Sequence, residues 1–307
     1  MTNSKENFSQ LVNRAMQQQD VSHMRPVIEK ELLHYDILFA LESNRLLENL
    51  TFQGGTSLRL CYGGNRFSED LDFVGGRDFN SAMLTDMKSC IEKYIGNRYG
   101  LEVTVKEPKD LKKEAKYADL NIDKWQIAVV TAPDRKDLPK QKIKVEVANI
   151  AAYTREPLPL QVNYDFLPDG YGDMLILTES LDEIMADKII SLPATTKYVR
   201  HRDLWDLVWL HQQGATLNID LVKNKVSDYR LQNFEVMIEQ LLQKLPEMVA
   251  SDAFSAEMKR FLPTDVFDRT LGQNKFKSYL NTTLLTLFKT TRDTLQGRLS
   301  PAPEFKM

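Results

Sequence analysis

A chain of 307 residues with 42% hydrophobic and 27% charged side chains can bury a sizeable core in one large domain or two, which excludes disorder along its whole length. Its 40 Lys and Arg stand against 43 Asp and Glu, and the net charge of −3 excludes a protein that holds nucleic acid by overall charge alone. The two cysteines, Cys61 and Cys90, form neither a disulfide framework nor a zinc-binding spacing, and they read as reduced thiols of a cytoplasmic protein.

The first 22 residues are polar, lack the apolar stretch of a secretory signal, and read as a loose arm or short helix. No apolar run approaches the ~20 residues needed to span a bilayer, so no membrane association is expected. From Pro26, Ile28, Leu32, Tyr35, Phe39 and Leu46 recur at helical spacing with polar residues between them. TFQGG then breaks the helix, and a short helical stretch is expected from Thr56, followed by a second break at GGNR. In RFSEDLDFVGG, Leu71 and Phe73 alternate with Asp70 and Asp72, a strand pattern that ends at Gly75 and Gly76. Residues 78–98 read as an amphipathic helix with Met83, Met87, Ile91, Tyr94 and Ile95 on one side. Strands are expected at 101–106, 125–130 and 142–150, with a charged loop over 106–116.

The stretch from Arg155 to Asp173 contains Pro and Gly and reads as irregular before a short strand at 174–178; beyond Glu179 nearly everything is helical. An α+β domain over 1–178, with mostly antiparallel strands and helices on one face, followed by an all-helical domain over 179–307, is the expected organisation.

The chemistry concentrates between Gly54 and Phe73. Residues i and i+2 of a strand share a face, so Asp70 and Asp72 are expected to project together about 7 Å apart. Two carboxylates so close repel unless a cation lies between them, and a hard divalent ion completed by substrate phosphates suits oxygen ligands. Upstream, Gly54 and Gly55 let backbone N–H groups approach a phosphate, a helix starting at Thr56 would aim its positive end there, and Thr56 and Ser57 add hydroxyls. A third carboxylate is expected on a neighbouring strand. In KIKVEV, Lys144 and Glu146 face away from Ile143, Val145 and Val147, so Glu146 could join the pair and help deprotonate an attacking hydroxyl; Glu102 and Asp123 are weaker rivals at strand starts.

This assembly resembles the DNA polymerase beta-like nucleotidyltransferase superfamily, with its glycine turn and Asp-x-Asp strand. GGTSLRLCYGGNRFSEDLDF is similar, more narrowly, to the nucleotidyltransferase toxins of the AbiEii/AbiGii family, which includes the mycobacterial MenT toxins. Arg66, Ser68, Asp70 and Asp72 occupy the family's Arg-x-Ser-x-Asp-x-Asp positions. Lys188 and the Arg202-Asp203-Leu204-Trp205-Asp206-Leu207 helix match its second motif group, so the similarity spans roughly residues 50–210 and implies that Lys188, Asp203 and Asp206 join Asp70, Asp72 and Glu146 as catalytic residues. The resemblance implies a polymerase-beta-like nucleotidyltransferase domain and a toxin of a toxin–antitoxin or phage-defence system. Its metal would be Mg²⁺ or Mn²⁺ on Asp70, Asp72 and Glu146, with Gly54, Gly55, Thr56, Ser57, Arg66, Ser68 and Lys188 at the nucleotide. It further implies NMP transfer from an NTP to an RNA acceptor, the tRNA 3′ end in the MenT branch, and a cognate antitoxin. A monomer is expected.

The charge pattern singles out Lys188 independently, since no Lys or Arg lies between Arg155 and it while acids abound. A lysine on a core-facing side needs an anion: a triphosphate, or the carboxylates of Asp203 and Asp206, which share a helix face at i, i+3. His201 and His211 read as structural or surface residues, and Trp205 and Trp209 as core. Three readings remain open: transfer to RNA, transfer by the same fold to a protein or small molecule (an AMPylator or antibiotic-modifying type, with Ser68 a possible self-target), and a partner-binding module whose carboxylates hold a structural ion. From Thr270 onward six basic residues stand against two acidic ones, and Lys275, Lys277 and Arg292 are expected to wall an RNA groove.

Overall fold

Runs of β-branched and aromatic residues alternating with charge build the first half of the chain. The computed structural model describes residues 5–18, 21–111 and 122–298. These divide into two compact units: residues up to Glu179 together with Arg260–Thr264, and Ser180–Lys259 together with the residues from Asp265 onward. Sequence patterning gives no sign of the return at 260–264. There Phe261 is buried in the first unit's core, and its carbonyl accepts the Phe67 N–H at 2.8 Å.

The first unit is built on a seven-stranded mixed sheet. In chain order its elements are α1 (Phe8–Gln18), α2 (Arg25–Ser43), β1 (Thr51–Gln53), α3 (Gly54–Leu60), β2 (Leu71–Val74), α4 (Met87–Tyr99), β3 (Val103–Lys106), β4 (Ile122–Val129), β5 (Gln141–Ala148), β6 (Glu156–Pro159) and β7 (Leu175–Thr178). The spatial order is β3-β4-β5-β2-β1-β7-β6. β2 and β5 run parallel, as do β1 and β7, and the other pairs are antiparallel. One face carries Phe52, Leu71, Phe73, Trp125, Ile127, Ile143, Val145 and Val147, which share a single core with residues of α1, α2 and α4. The opposite face carries Asp72 of β2, Lys124 and Gln126 of β4 and Lys142, Lys144 and Glu146 of β5, as period-two alternation requires, and is closed at one end by the buried pair Val74 and Ala148.

Several local expectations change. Of the loose arm or short helix expected at the start of the chain, residues 8–18 form the helix, and it places Phe8, Val12 and Ala15 in the core. α2 is buried on all sides, so its polar residues are paired inside: Arg59 grips Glu31 through two hydrogen bonds of 2.8 and 3.0 Å, and Tyr171 donates to Asp36 at 2.6 Å. The helix expected over 78–98 is split into a 3₁₀ turn at Ser81–Leu84 and α4, and Met83 is exposed. β4 begins at Ile122, three residues earlier than its apolar run suggests, which puts Asp123 inside the strand rather than at its start. Of the expected loop over 106–116, a 3₁₀ turn occupies Pro108–Asp110, and residues 112–116 lie outside the described residues. β6 was hidden by Pro157 and Pro159. It is an edge strand, where a residue without an N–H costs no ladder bond and discourages pairing with another chain.

The second unit is helical: α5 (Leu181–Ala194), α6 (His201–Gln212), α7 (Ile219–Asp228), α8 (Phe234–Ala250), α9 (Asp252–Lys259), α10 (Thr264–Arg269) and α11 (Asn274–Leu295). Ser180 caps α5 by accepting the Glu183 N–H at 3.3 Å, and Asp182 and Glu183 lie in the first turn, where the helix dipole favours acids. Among the described residues no helix is long and apolar enough to cross a membrane.

Candidate active site

β1 ends at Gln53, and the chain turns directly into α3 at Gly54, two residues earlier than the sequence suggests. Gly54 has φ of +78°, a backbone state that side chains disfavour, and a Cβ there would come within 2.8 Å of Asp72 Oδ2. The Asp72 carboxylate thus lies against the bare backbone of the turn. A Cβ on Gly55 would overlap the Arg66 guanidinium, which donates to the Phe67 carbonyl at 2.9 Å. Both glycines are therefore required for close approach of charged groups to the turn.

Register assembles the carboxylates. On the polar face Gln53 of β1 is paired with Asp72 of β2, Asp72 with Glu146 of β5, and Glu146 with Lys124 of β4, forming one row across four strands. Lys124 forms an ion pair with Glu146 at 2.9 Å. Asp72, Glu146 and Lys124 are all partly exposed. β2 begins only at Leu71, so Asp70 precedes the strand, and its Oδ1 accepts the Lys144 backbone N–H at 2.9 Å. That bond fixes the Asp70 carboxylate beside β5.

The turn leading to Asp70 is held from several sides. The Thr56 hydroxyl donates to the Asp70 carbonyl, Lys30 pairs with the Glu69 carboxylate at 2.8 Å, and the ring of His34 meets the Glu69 carbonyl at 3.0 Å. Burial pushes the His34 imidazole down to about 4, against the carbonyl contact and nearby Glu31 and Asp70, which favour its charged form. A neutral ring donating from Nε2 satisfies this geometry. Lys30 and His34, one turn apart on α2, were missed in the sequence, because nothing local links them to a segment 35 residues or more away.

The remaining expected residues fall as follows. The hydroxyls of Thr56 and Ser57 are buried and committed to carbonyls, Ser57 donating to Gly54 at 2.9 Å, so neither is presented as a phosphate donor. Ser68 is buried, which sets its hydroxyl apart from an exposed modification target. Asp123 is paired with Val147 on the apolar-facing register, while Glu102 binds Lys140 at 2.7 Å.

In the second unit, Lys188 of α5 bonds Asp203 at 2.9 Å and Asp206 at 2.7 Å, both on α6, with all three side chains buried. Asp203 also accepts from Ser191 at 3.1 Å and from Arg200. Burial works against the ionised Asp203 carboxyl, but Arg200 and Lys188 outweigh it and hold the group well below the usual carboxylate range. The cation that sequence reasoning aimed at a triphosphate or at carboxylates is thus spent on two carboxylates. A second buried cluster, Lys225 with Glu183 at 2.8 Å and Asp187 at 3.0 Å, joins α7 to α5. Trp205 and Trp209 are buried, and His211 is exposed. Arg292 pairs with Glu239 at 2.8 Å and also with Asp293, which removes it from the expected basic wall; Lys306 lies outside the described residues.

A glycine turn entering a helix, set on a mixed sheet against an Asp-x-Asp segment with a carboxylate on the next strand, defines a nucleotidyltransferase. The model of one such family, the nucleotidyl transferase AbiEii toxins of type IV toxin–antitoxin systems, matches residues 36–282, and the chain belongs to that family. The match reaches well beyond the 50–210 span carried by the sequence motifs. Membership brings with it an NTP substrate and an antitoxin partner. Among solved structures the chain is similar to MenT4, a nucleotidyltransferase toxin from Mycobacterium tuberculosis H37Rv: 18% identity, 92% of this chain and 90% of that one covered, TM-score 0.57. It is also similar to JHP933 from Helicobacter pylori, with 19% identity, 89% and 94% covered, and a TM-score of 0.43. No curated protein matches the sequence significantly.

Proposed function

We propose that this toxin transfers a nucleoside monophosphate from an NTP to the terminal hydroxyl of an RNA acceptor, the 3′ end of a tRNA, using the row Gln53–Asp72–Glu146–Lys124. The observation that carries this reading is the register of Asp72 beside Glu146 on the polar face, with the Gly54 backbone against Asp72.

The donor set suits Mg²⁺ or Mn²⁺, since Asp70, Asp72 and Glu146 offer only carboxylate oxygens. Among the described residues no three such side chains converge into a ready-made cage. Mg²⁺ is commonly held by one or two carboxylates with substrate phosphates completing its shell. Asp70 and Asp72 are the two, Asp70 being oriented by the Lys144 N–H. When bound, the ion would offset charge on the attacking and leaving oxygens.

This chain's residues do the rest. Gly54 and Gly55 bring the triphosphate close to the backbone, and Arg66, packed on Gly55, supplies a fixed positive charge. The acceptor oxygen attacks the α-phosphorus, the bond to the pyrophosphate oxygen breaks, and the hydroxyl proton passes to Glu146, which Lys124 orients. Lys188, Asp203 and Asp206 enter the proposal as the brace between α5 and α6 rather than as groups on the nucleotide. Action as a monomer in the cytoplasm, as part of phage defence, completes the proposed reading.

The test is to incubate the purified protein with total RNA and each α-labelled NTP in turn, with Mg²⁺ or with excess chelator. Label in tRNA that depends on the metal is expected. Label in protein or a small molecule, or equal labelling in chelator, would overturn the acceptor or the metal assignment respectively.

A further inference from the structure

The face that carries Asp72 and Glu146 also carries lysines that the proposed chemistry leaves unused. One rung from the Asp72 row, Asp70 stands beside Lys144 of β5, Lys144 is paired with Gln126 of β4, and Gln126 with Lys106 of β3. One rung further, Lys142 is paired with Ala128, and Ala128 with Thr104. Lys106 and Lys142 are exposed and Lys144 is partly exposed. Among the described residues none of the three has an ion-pair partner, whereas Lys124, one rung closer to the site, is bonded to Glu146. Their cross-strand neighbours Gln126, Ala128 and Thr104 are uncharged and include no aromatic ring, and one rung further out Glu102 is paired with Lys140 at 2.7 Å.

Lysines that face neutral partners and no carboxylate across the strands keep their charge available to an anion laid along the face. The strip starts beside the carboxylates and runs outward along β5. At a strand rise of ~3.3 Å per residue, Glu146 to Lys142 spans about 13 Å, room for the last few nucleotides of a strand. Repeated single-sign charge without apolar anchors matches a sugar–phosphate backbone better than a peptide, and the lack of stacking rings implies contact that ignores base identity.

We propose that Lys106, Lys142 and Lys144 form the track for the sugar–phosphate backbone of a single-stranded RNA acceptor end, delivering its terminal hydroxyl to Asp72 and Glu146. This rests on the RNA-acceptor reading above. The basic residues of α11 are then not needed as the acceptor wall.

The test uses the full-length protein and its Lys106→Gln/Lys142→Gln/Lys144→Gln variant. Binding of a fluorescent single-stranded RNA oligonucleotide is measured by anisotropy between 50 and 200 mM salt, and NTP binding by calorimetry. A single-strand contact contributes about 0.7 to the slope of log affinity against log salt, so the triple variant should lose roughly 2 from that slope. NTP binding and thermal midpoint should not change. An unchanged slope in a variant that binds RNA as the parent does would overturn the track while sparing the RNA reading. A parent that binds no RNA while binding NTP would overturn both. Should the triple variant fail to fold, Lys106→Gln and Lys142→Gln alone, both at exposed positions, should each lower the slope by about 0.7, and no change in either contradicts the proposal.

Discussion

Two acid-rich groups, Asp70–Asp72–Glu146 in the first unit and Lys188–Asp203–Asp206 in the second, look alike in sequence and differ in how their charge is spent. The first lies on the polar face of a sheet, partly exposed, with Lys124 countering Glu146 and a backbone N–H holding Asp70. The second is sealed, and its lysine is shared between two carboxylates at 2.9 and 2.7 Å. Charges taken out of water repay the desolvation only when each is countered, and a group countered in that way has little left for a ligand. Carboxylates kept near solvent at a bare glycine turn retain that capacity. In the proposed reading, the difference separates a site that meets substrate from a brace that holds helices together.

The largest expected effect breaks the first group. Asp72→Asn should lower NMP transfer by about three orders of magnitude, roughly 4 kcal/mol of transition-state stabilisation, while leaving unfolding in urea nearly unchanged. Next, Lys188→Met should destabilise the second unit by about 3–5 kcal/mol, because it strips a buried pair of its shared cation. Because Asp203 is held below the usual carboxylate range, its contribution is present above the unfolded value near pH 4 and fades as pH falls below it. The acid limb of the stability curve should therefore be shallower in Lys188→Met.

His34 supplies the third test. Its imidazole is pushed down to about 4, so between pH 6.5 and 4 the unfolded chain binds a proton that the folded chain refuses. Stability should fall across that window by on the order of 3 kcal/mol, and His34→Gln, which can still donate to the Glu69 carbonyl, should flatten it in urea titrations at stepped pH. The smallest effect is Lys124→Met: its partly exposed pair with Glu146 contributes about 0.5–1 kcal/mol to stability, and transfer should drop less than tenfold. A larger loss would make Lys124 part of the chemistry rather than a support.

Alternation made the face shared by Asp72 and Glu146 legible, since strand period alone fixes which residues look the same way. It misjudged Asp70, which the turn places just outside β2, where a bond to Lys144 rather than strand geometry fixes it. The amphipathic reading of α2 failed because Glu31, Asp36 and His34 are buried on partners far along the chain, and no local pattern distinguishes a solvated charge from a paired one. β6 was illegible for the opposite reason: its prolines argue against a strand until its place at the sheet edge is known. The hydroxyls of Thr56 and Ser57 suited a phosphate by type, but their direction is set by the Asp70 and Gly54 carbonyls.

The central claim is that the exposed carboxylates do chemistry and the sealed ones hold structure. It is tested most directly by measuring NMP transfer per folded molecule and urea unfolding side by side on Asp72→Asn and Lys188→Met. The account predicts opposite losses: transfer without stability in the first variant, stability without transfer in the second. Full transfer in Asp72→Asn, or a stable Lys188→Met protein that cannot transfer, would contradict it.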